Sequence, residues 1–233
     1  MGPAEETGLS SVELAQRRGD SLPGTEVVTP EALDLVDAVR RLSEVVVVTG
    51  ADDARRADAA RRLRAISDEL AEPRRDEAVL LIRHGDGRLE HLTQAGSGRL
   101  NPQAPPIWFD PFPTPPPPGA EPQPVELVAH CTFSAAHGGP PGRAHGGVVA
   151  ALLDEVIGYS AFVAGAPGMS VSLSVRFRSA TPRDVPLEVR ARLTRWEGRK
   201  RWATGEVLAD GRITAEGECL IIAGAAAARP DAP

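Results

Sequence analysis

Apolar residues recur along this chain with two different periods, and the change from one to the other divides it. From Thr29, the residues Leu35, Val36, Val39, Leu42 and Val46 return at steps of three and four, which predicts a helix. Thr29 can cap that helix, Pro30 suits its first position, and it should end near Thr49-Gly50. A second helix is predicted from about Asp52, with Ala59, Leu63, Ile66 and Leu70 on one face and arginines and carboxylates on the other. Together they read as a helical hairpin over residues 29–75, lying on another part of the fold. AVLLIRH and RLEHL then flank a GDG turn as two strands. After a proline-rich stretch, VELVAHCTFS is a strand that leads into a long apolar segment. Beyond that segment SVSLSVRFR and VPLEVRARL alternate cleanly, and WATGEVLAD and ITAEGECLII follow as strands, with turns at Glu197-Gly198-Arg199 and at Asp210-Gly211.

The segment from Gly138 to Gly165 departs from the two-sided pattern. Taken as a helix from His145, it sets Val148, Val149, Leu152, Leu153, Val156, Ile157, Phe162 and Val163 around nearly its whole circumference, so it reads as buried. One strand, one long helix and four strands joined by hairpins make an antiparallel sheet with an apolar face to cover, and this helix is the long apolar one in that half. A curved antiparallel sheet wrapped around one central helix is the hotdog architecture, here α+β with an N-terminal helical extension. Residues 125–224 are assigned to it. Residues 76–124 form a hairpin and a proline-rich connecting segment whose prolines favour an extended conformation. Residues 1–28 lack sustained periodicity and are expected to be disordered apart from a helical turn near VELAQ, and residues 225–233 to be a flexible tail.

Composition narrows the function. With 233 residues and 42% apolar side chains the chain can bury a real core. A net charge of −6 argues against general nucleic-acid binding. No apolar run approaches the roughly 20 residues of a membrane span, and the opening residues lack the apolar stretch of a secretory signal, so the expectation is a cytoplasmic protein. Cys131 and Cys219 form no CxxC and are expected to pack as small apolar side chains in strands. His130 and His137 match no ligand spacing, and HxxxH and HExxH are absent, so neither a metal nor a cofactor is expected. No GxSxG is present to supply a serine nucleophile.

The apolar helix carries two acids, Asp154 and Glu155, and a carboxylate removed from water costs several kcal/mol unless it is paired, hydrogen-bonded or open to a cavity. At its start stand His145, Gly146 and Gly147. The first N–H groups of a helix have no internal acceptors and carry the positive end of the dipole, and glycine lets a carbonyl approach them. Nine residues separate Asp154 from His145, about 13 Å along the axis and nearly the opposite face. One compact reacting centre cannot touch both within a chain, whereas a two-fold dimer can bring Asp154 of one copy to the glycines of the other. If both features are catalytic, the sites lie at a dimer interface.

GPPGRAHGGVVAALLDE, GAPGMSVSLSVRFRSATP and the EGRK turn resemble hotdog-fold acyl-CoA thioesterases of the phenylacetyl-CoA (PaaI-like) group, over about Val125 to Ile222. The resemblance implies that the Gly146 N–H polarises a thioester carbonyl and that Asp154 is the nucleophile or the general base for water. It also implies that His145, a further catalytic candidate, shapes the loop and holds the thioester oxygen, that Ser170 helps position water, and that the substrate is an acyl-CoA. Gly147 is a further substrate-binding candidate, and Arg199, Lys200 and Arg201 are candidates to meet the coenzyme A phosphates. Relatives often carry an asparagine or another polar residue six positions before the histidine, where this chain has Gly139. A homodimer or homotetramer is expected. The alternatives are a non-catalytic acyl-CoA-binding hotdog protein and a carrier-protein-directed thioesterase or dehydratase. Against these, Asp154 is present, the N-terminal helices show no basic recognition face, and the hydratase pairing of Asp and His five residues apart is missing. Glu155, 100° around the helix, reads as a salt-bridged or solvent-facing residue.

Overall fold

The computed structural model of the chain describes residues 14, 18–73, 80–85, 88–117 and 119–224. The expected disorder of residues 1–28 and the turn near VELAQ fall largely outside them, as do Asp86-Gly87 of the first turn and the tail 225–233. What is described before Thr29 is ordered: two 3-10 turns, Gly19–Ser21 and Thr25–Val27, with Leu14 and Leu22 packed beside Leu81. The Arg83 N–H donates to the Pro23 carbonyl at 2.9 Å.

Helix α1 (Pro30–Val48) begins where the Thr29 hydroxyl accepts the Ala32 N–H at 3.2 Å, and α2 (Asp53–Glu69) where Asp52 accepts from Arg55 at 2.8 Å. Each cap satisfies one of the helix's free N–H groups. Helix α1 packs against the short turn Ala135–His137. Helix α2 buries none of its residues, and Ile66 and Leu70 on its apolar stripe are 47% and 58% exposed. The expected hairpin thus reaches the rest of the fold through α1, while the α2 stripe faces outward. Strands β1 (Leu81–Arg83) and β2 (Leu89–His91) pair antiparallel, with Leu81 opposite His91.

The main sheet has six antiparallel strands: β3 (Trp108–Phe109), β4 (Leu127–Thr132), β5 (Met169–Phe177), β6 (Pro186–Glu197), β7 (Lys200–Ala209) and β8 (Arg212–Ile222). Their order is β3-β4-β6-β7-β8-β5, so the strand that follows the helix lies at one edge. Strand β3 is an addition that periodicity could not reveal, since it is two residues long and sits among prolines. Helix α3 (Gly146–Val163) packs against β4 through β8, with Val149, Leu152, Leu153, Val156 and Ile157 fully buried. This is the hotdog arrangement that the strand and helix order implies. By length and apolarity alone α3 also passes for a membrane span, contrary to the reading from apolar runs. Its burial against five strands is that of a core helix. Both cysteines are buried in strands, and burial pushes the Cys131 thiol up to about 12.

Two glycines let the helix seat this closely. Gly205 of β7 lies opposite Gly217 of β8, and Ile157 rests over both. A Cβ on Gly205 would stand 2.8 Å from Ile157 Cγ1 and 3.2 Å from the Arg190 carbonyl, whereas one on Gly217 would meet the flexible end of Ile157 at 3.0 Å. Gly205→Ala should therefore destabilise the fold by about 1–3 kcal/mol, as overpacking does, and Gly217→Ala by less. Urea denaturation of the two variants checks the order, and equal stability of Gly205→Ala and wild type would show that the sheet yields freely there.

Candidate active site

The helix start is built by a loop that turns back on itself. The Gly139 N–H donates to the Arg143 carbonyl at 2.9 Å, Arg143 to Pro140 at 3.0 Å, and His145 to His137 at 2.9 Å. Gly142 takes φ +73°, a conformation that side chains disfavour. Gly139 has a steric reason of its own, because a Cβ there would come within 2.9 Å of the His145 Cα. The side chain that relatives place at this position has no room in this loop. His145 is the N-cap: its Nδ1 accepts the Gly147 N–H at 3.1 Å. This bond assigns the neutral ring's proton to Nε2 and occupies the Gly147 N–H. Gly146, at the first helical position, has the Phe177 ring beside it, 3.2 Å from where a Cβ would stand.

Asp154 and Ser170 come together elsewhere, on a cavity of about 220 Å³. Asp154 Oδ1 is buried and makes no hydrogen bond to the described residues. A buried carboxylate oxygen without a donor is uncommon and calls for a reason. Around Cys219 the same group is felt: burial raises the thiol pKa, a hydrogen bond with Ser170 opposes this, and the Asp154 charge adds to it. The structure therefore sets Asp154, midway along α3, on one cavity with Ser170, and it leaves His145, Gly146 and Gly147 at the start of the helix with Phe177, as helix geometry requires within one chain.

Glu155 differs from its reading as a salt-bridged or solvent-facing residue. It is partly buried under the loop that follows β2, where Gln94 Nε2 donates to its two oxygens at 2.5 and 2.6 Å and the Ser97 hydroxyl donates at 2.5 Å. Burial pushes its carboxyl above the ordinary 4.5; Ser97 and Gln94 pull it down, and the neighbouring Asp154 charge pushes it up. Tyr159, one turn further along α3, is partly buried against the core, and burial raises its phenol to about 12. Its ring meets Phe109 and Phe112 edge-on at 5.1 and 5.8 Å, which fastens the start of the proline-rich segment to the helix. His91 and Gln94 join the cavity from the β2 side. Sequence reasoning missed these two residues, because they lie in a short strand and a loop with no periodic signal. Glu155 was within reach, since the burial cost applied to Asp154 applies to it equally.

The three basic residues at the β6–β7 turn separate. Arg199 and Lys200 are exposed, with Arg199 Nε donating to the Ala223 carbonyl at 2.9 Å. Arg201 is 7% exposed and spends Nη1 on the carbonyls of Gly198 and Lys200 at 2.6 and 3.0 Å, so it does not face solvent as a free cation.

Residues 141–219 match the family model described as the thioesterase superfamily. Human acyl-coenzyme A thioesterase THEM5 is 36% identical over 80 residues, which are 34% of this chain and 32% of that protein. The chain thus spans about a third of the length of that curated relative. The crystal structure of protein RHA08564, a thioesterase superfamily protein, is 28% identical, covers 82% of this chain and 90% of that one, and has a TM-score of 0.69. A mutant structure of the phenylacetic acid degradation protein PaaI from Thermus thermophilus is 23% identical over 42% of this chain and 84% of that one, with a TM-score of 0.40.

The environment of Glu155 gives a test of its burial. A carboxyl whose pKa is raised by folding stabilises the native state fully below its unfolded value and loses that contribution as pH rises through its folded value. Glu155→Gln stays neutral throughout. Between pH 4 and pH 8 the variant should therefore gain in unfolding free energy relative to wild type, by about 1.4 kcal/mol for each unit that folding raises the carboxyl, and its melting temperature should rise accordingly. Parallel melting curves against pH would mean that Glu155 ionises as it does in water.

Proposed function

We propose that the chain hydrolyses acyl-CoA thioesters to the free acid and coenzyme A, a reading supported by the match of residues 141–219 to the thioesterase superfamily model and by the hotdog fold. The observation that carries this reading is the buried, unpartnered oxygen of Asp154 on a cavity shared with Ser170. A carboxylate so placed can act on the thioester carbon as a nucleophile, or take a proton from a water that attacks it. As the new C–O bond forms, charge moves to the carbonyl oxygen, where the Gly146 N–H and the helix dipole stabilise it. The C–S bond then breaks: on the base route the sulfur leaves as a thiol with the proton that Asp154 took from water, and on the nucleophile route it leaves as a thiolate that solvent protonates, after which water cleaves the Asp154 acyl anhydride to the free acid and the regenerated carboxylate. His145 keeps the helix start in shape by engaging Gly147, and Ser170 orients the water. Arg199 and Lys200 are the exposed cations available to the coenzyme A phosphates, so the phosphate role falls to them rather than to Arg201.

The two halves of this machinery belong to different copies in a homodimer. Three features support that assembly. Asp154 and Gly146 are separated by about 12 Å along the helix axis. The edge strand β5 runs back along α3, with Ser170 at the Asp154 end and Phe177 beside Gly146. Among the described residues that edge has no strand beyond it, and Met169, Val171 and Phe177 are 48%, 58% and 52% exposed. Such an edge favours pairing with another strand. Antiparallel pairing of β5 with its copy about Leu173, the middle of the strand, lays the Ser170 end of one beside the Phe177 end of the other. Asp154 of each copy then faces the glycine-lined helix start of its partner.

Thiol release from a panel of acyl-CoAs tests the chemistry. Asp154→Asn should lower kcat by at least about 100-fold, and Gly146→Pro, which removes one N–H at a position where helices accept proline, by about 100- to 1,000-fold. Mixing the two inactive variants tests the interface. Half of the dimers are then mixed, each with one intact site, so activity should return to about a quarter of wild type. No recovery on mixing would place the site within one chain, and full activity in Asp154→Asn would remove that residue from the reaction.

A further inference from the structure

The structure joins the helix that carries Asp154 to a segment that lies wholly before the family-matched residues. The loop 92–101 is held together by its own bonds: Leu92 to Leu80, Gly98 to Gln94, Leu100 to Leu92, and Asn101 Nδ2 to the Thr93 carbonyl at 3.1 Å. Helix α1 braces it, with Arg40 Nη2 donating to the carbonyls of Asn101 and Ala104 at 3.2 and 3.3 Å. So stiffened, the loop presents Gln94 and Ser97 to Glu155, and Gly96 lies so close to that carboxylate that a Cβ would collide with it. Immediately before the loop, Leu89 of β2 and Leu81 of β1 face the cavity that Asp154 and Ser170 also line. Tyr159 and Phe162 of α3 complete its apolar side.

We propose that Glu155 is a positioning residue which, through Gln94 and Ser97, clamps the 81–101 segment across the cavity beside Asp154, so that Leu81 and Leu89 set an upper limit on the acyl group. This rests on the thioesterase reading for the identity of the ligand. Leu81 and Leu89 stand in the wall of this cavity of about 220 Å³, so an acyl group that enters beside Asp154 meets them as it lengthens. Glu155 itself touches no reacting atom in this scheme. Its three short hydrogen bonds exceed what helix packing requires, and all of them go to the one loop that carries the wall. Had its function been only to satisfy a buried acid, the donors could have come from anywhere around the helix.

The full-length chain is assayed on straight-chain acyl-CoAs of increasing length and on phenylacetyl-CoA. The matching S-alkyl-CoA thioethers, which cannot be hydrolysed, are titrated in parallel. Wild type should lose kcat/KM and thioether affinity together at one chain length. Leu89→Ala should raise the long-to-short ratio of kcat/KM at least about 10-fold by extending the cavity. Glu155→Ala should do the same by freeing the wall, with the change carried in KM, while Glu155→Gln, which can still bond Gln94 and Ser97, keeps the wild-type profile. Gln94→Ala and Ser97→Ala should each move it part of the way without the loss of a buried acid. Variants that lower every substrate in parallel would overturn the proposal and leave Glu155 a residue of stability alone. The thioethers separate the two readings. A length limit in binding that Leu89→Ala relaxes, with no thiol released from any acyl-CoA, would uphold the clamp and reject the thioesterase. Hydrolysis whose length profile ignores both variants would do the reverse.

Discussion

The seating of one apolar helix in the concave side of the sheet governs everything else in this molecule. Helix α3 can approach β7 and β8 only because Gly205 and Gly217 face each other beneath Ile157. That contact fixes the axial position of the helix, and with it both ends of the candidate chemistry. At one end the N–H groups of Gly146 and Gly147 emerge under the Gly139–Arg143 turn. Two turns along, Asp154 emerges at the cavity beside Ser170. Rigid helical geometry then forbids the two from meeting in one chain.

A helix buried on the sheet side still has an outer face, and the N-terminal segment covers part of it. Phe109 and Phe112 pack on Tyr159, the Gln123 N–H reaches the Ala164 carbonyl at 2.9 Å, and the loop after β2 closes over Glu155. The proline-rich stretch is suited to this because it can lie along a surface without needing ladder partners for its missing N–H groups. The segment before β4 is thus tied to the helix at several points, although the family match begins only at Pro141.

How much of this was legible in the sequence follows from where each signal resides. The cap at Thr29, the start of the second helix at about Asp52, the alternation in β6 and the glycine turn at Asp210-Gly211 are local, and they appear in the structure at the predicted residues. Asp154 was found because an acid in an apolar helix is anomalous whatever surrounds it. The fate of Glu155 was not legible in that way, since it depends on Gln94 and Ser97, about 60 residues away in a loop with no pattern. The outward stripe of α2 misled for the opposite reason: periodicity shows that a face is apolar and says nothing about what lies against it. Arg201 likewise reads as one of three equivalent cations, and only the turn geometry shows that its guanidinium is spent on the carbonyls of Gly198 and Lys200.

The contrast between the two adjacent acids carries the synthesis furthest. One residue apart on a helix is 100° of rotation, so Asp154 and Glu155 share a depth but address different neighbours. Glu155 points to a loop of its own chain and is surrounded by donors, which a buried carboxyl needs. Asp154 keeps an oxygen without a donor among the described residues, an uncommon state for a buried carboxylate that calls for a reason. The side toward which it opens is bounded by β5, the strand at the sheet's edge whose apolar residues are half exposed. Two kinds of incompleteness, an unsatisfied acid and an edge strand with one open side, therefore lie on the same flank of one helix. In the proposed homodimer a second copy of the chain would relieve the second while delivering a helix N-terminus to the first, so that one two-fold axis would account for both.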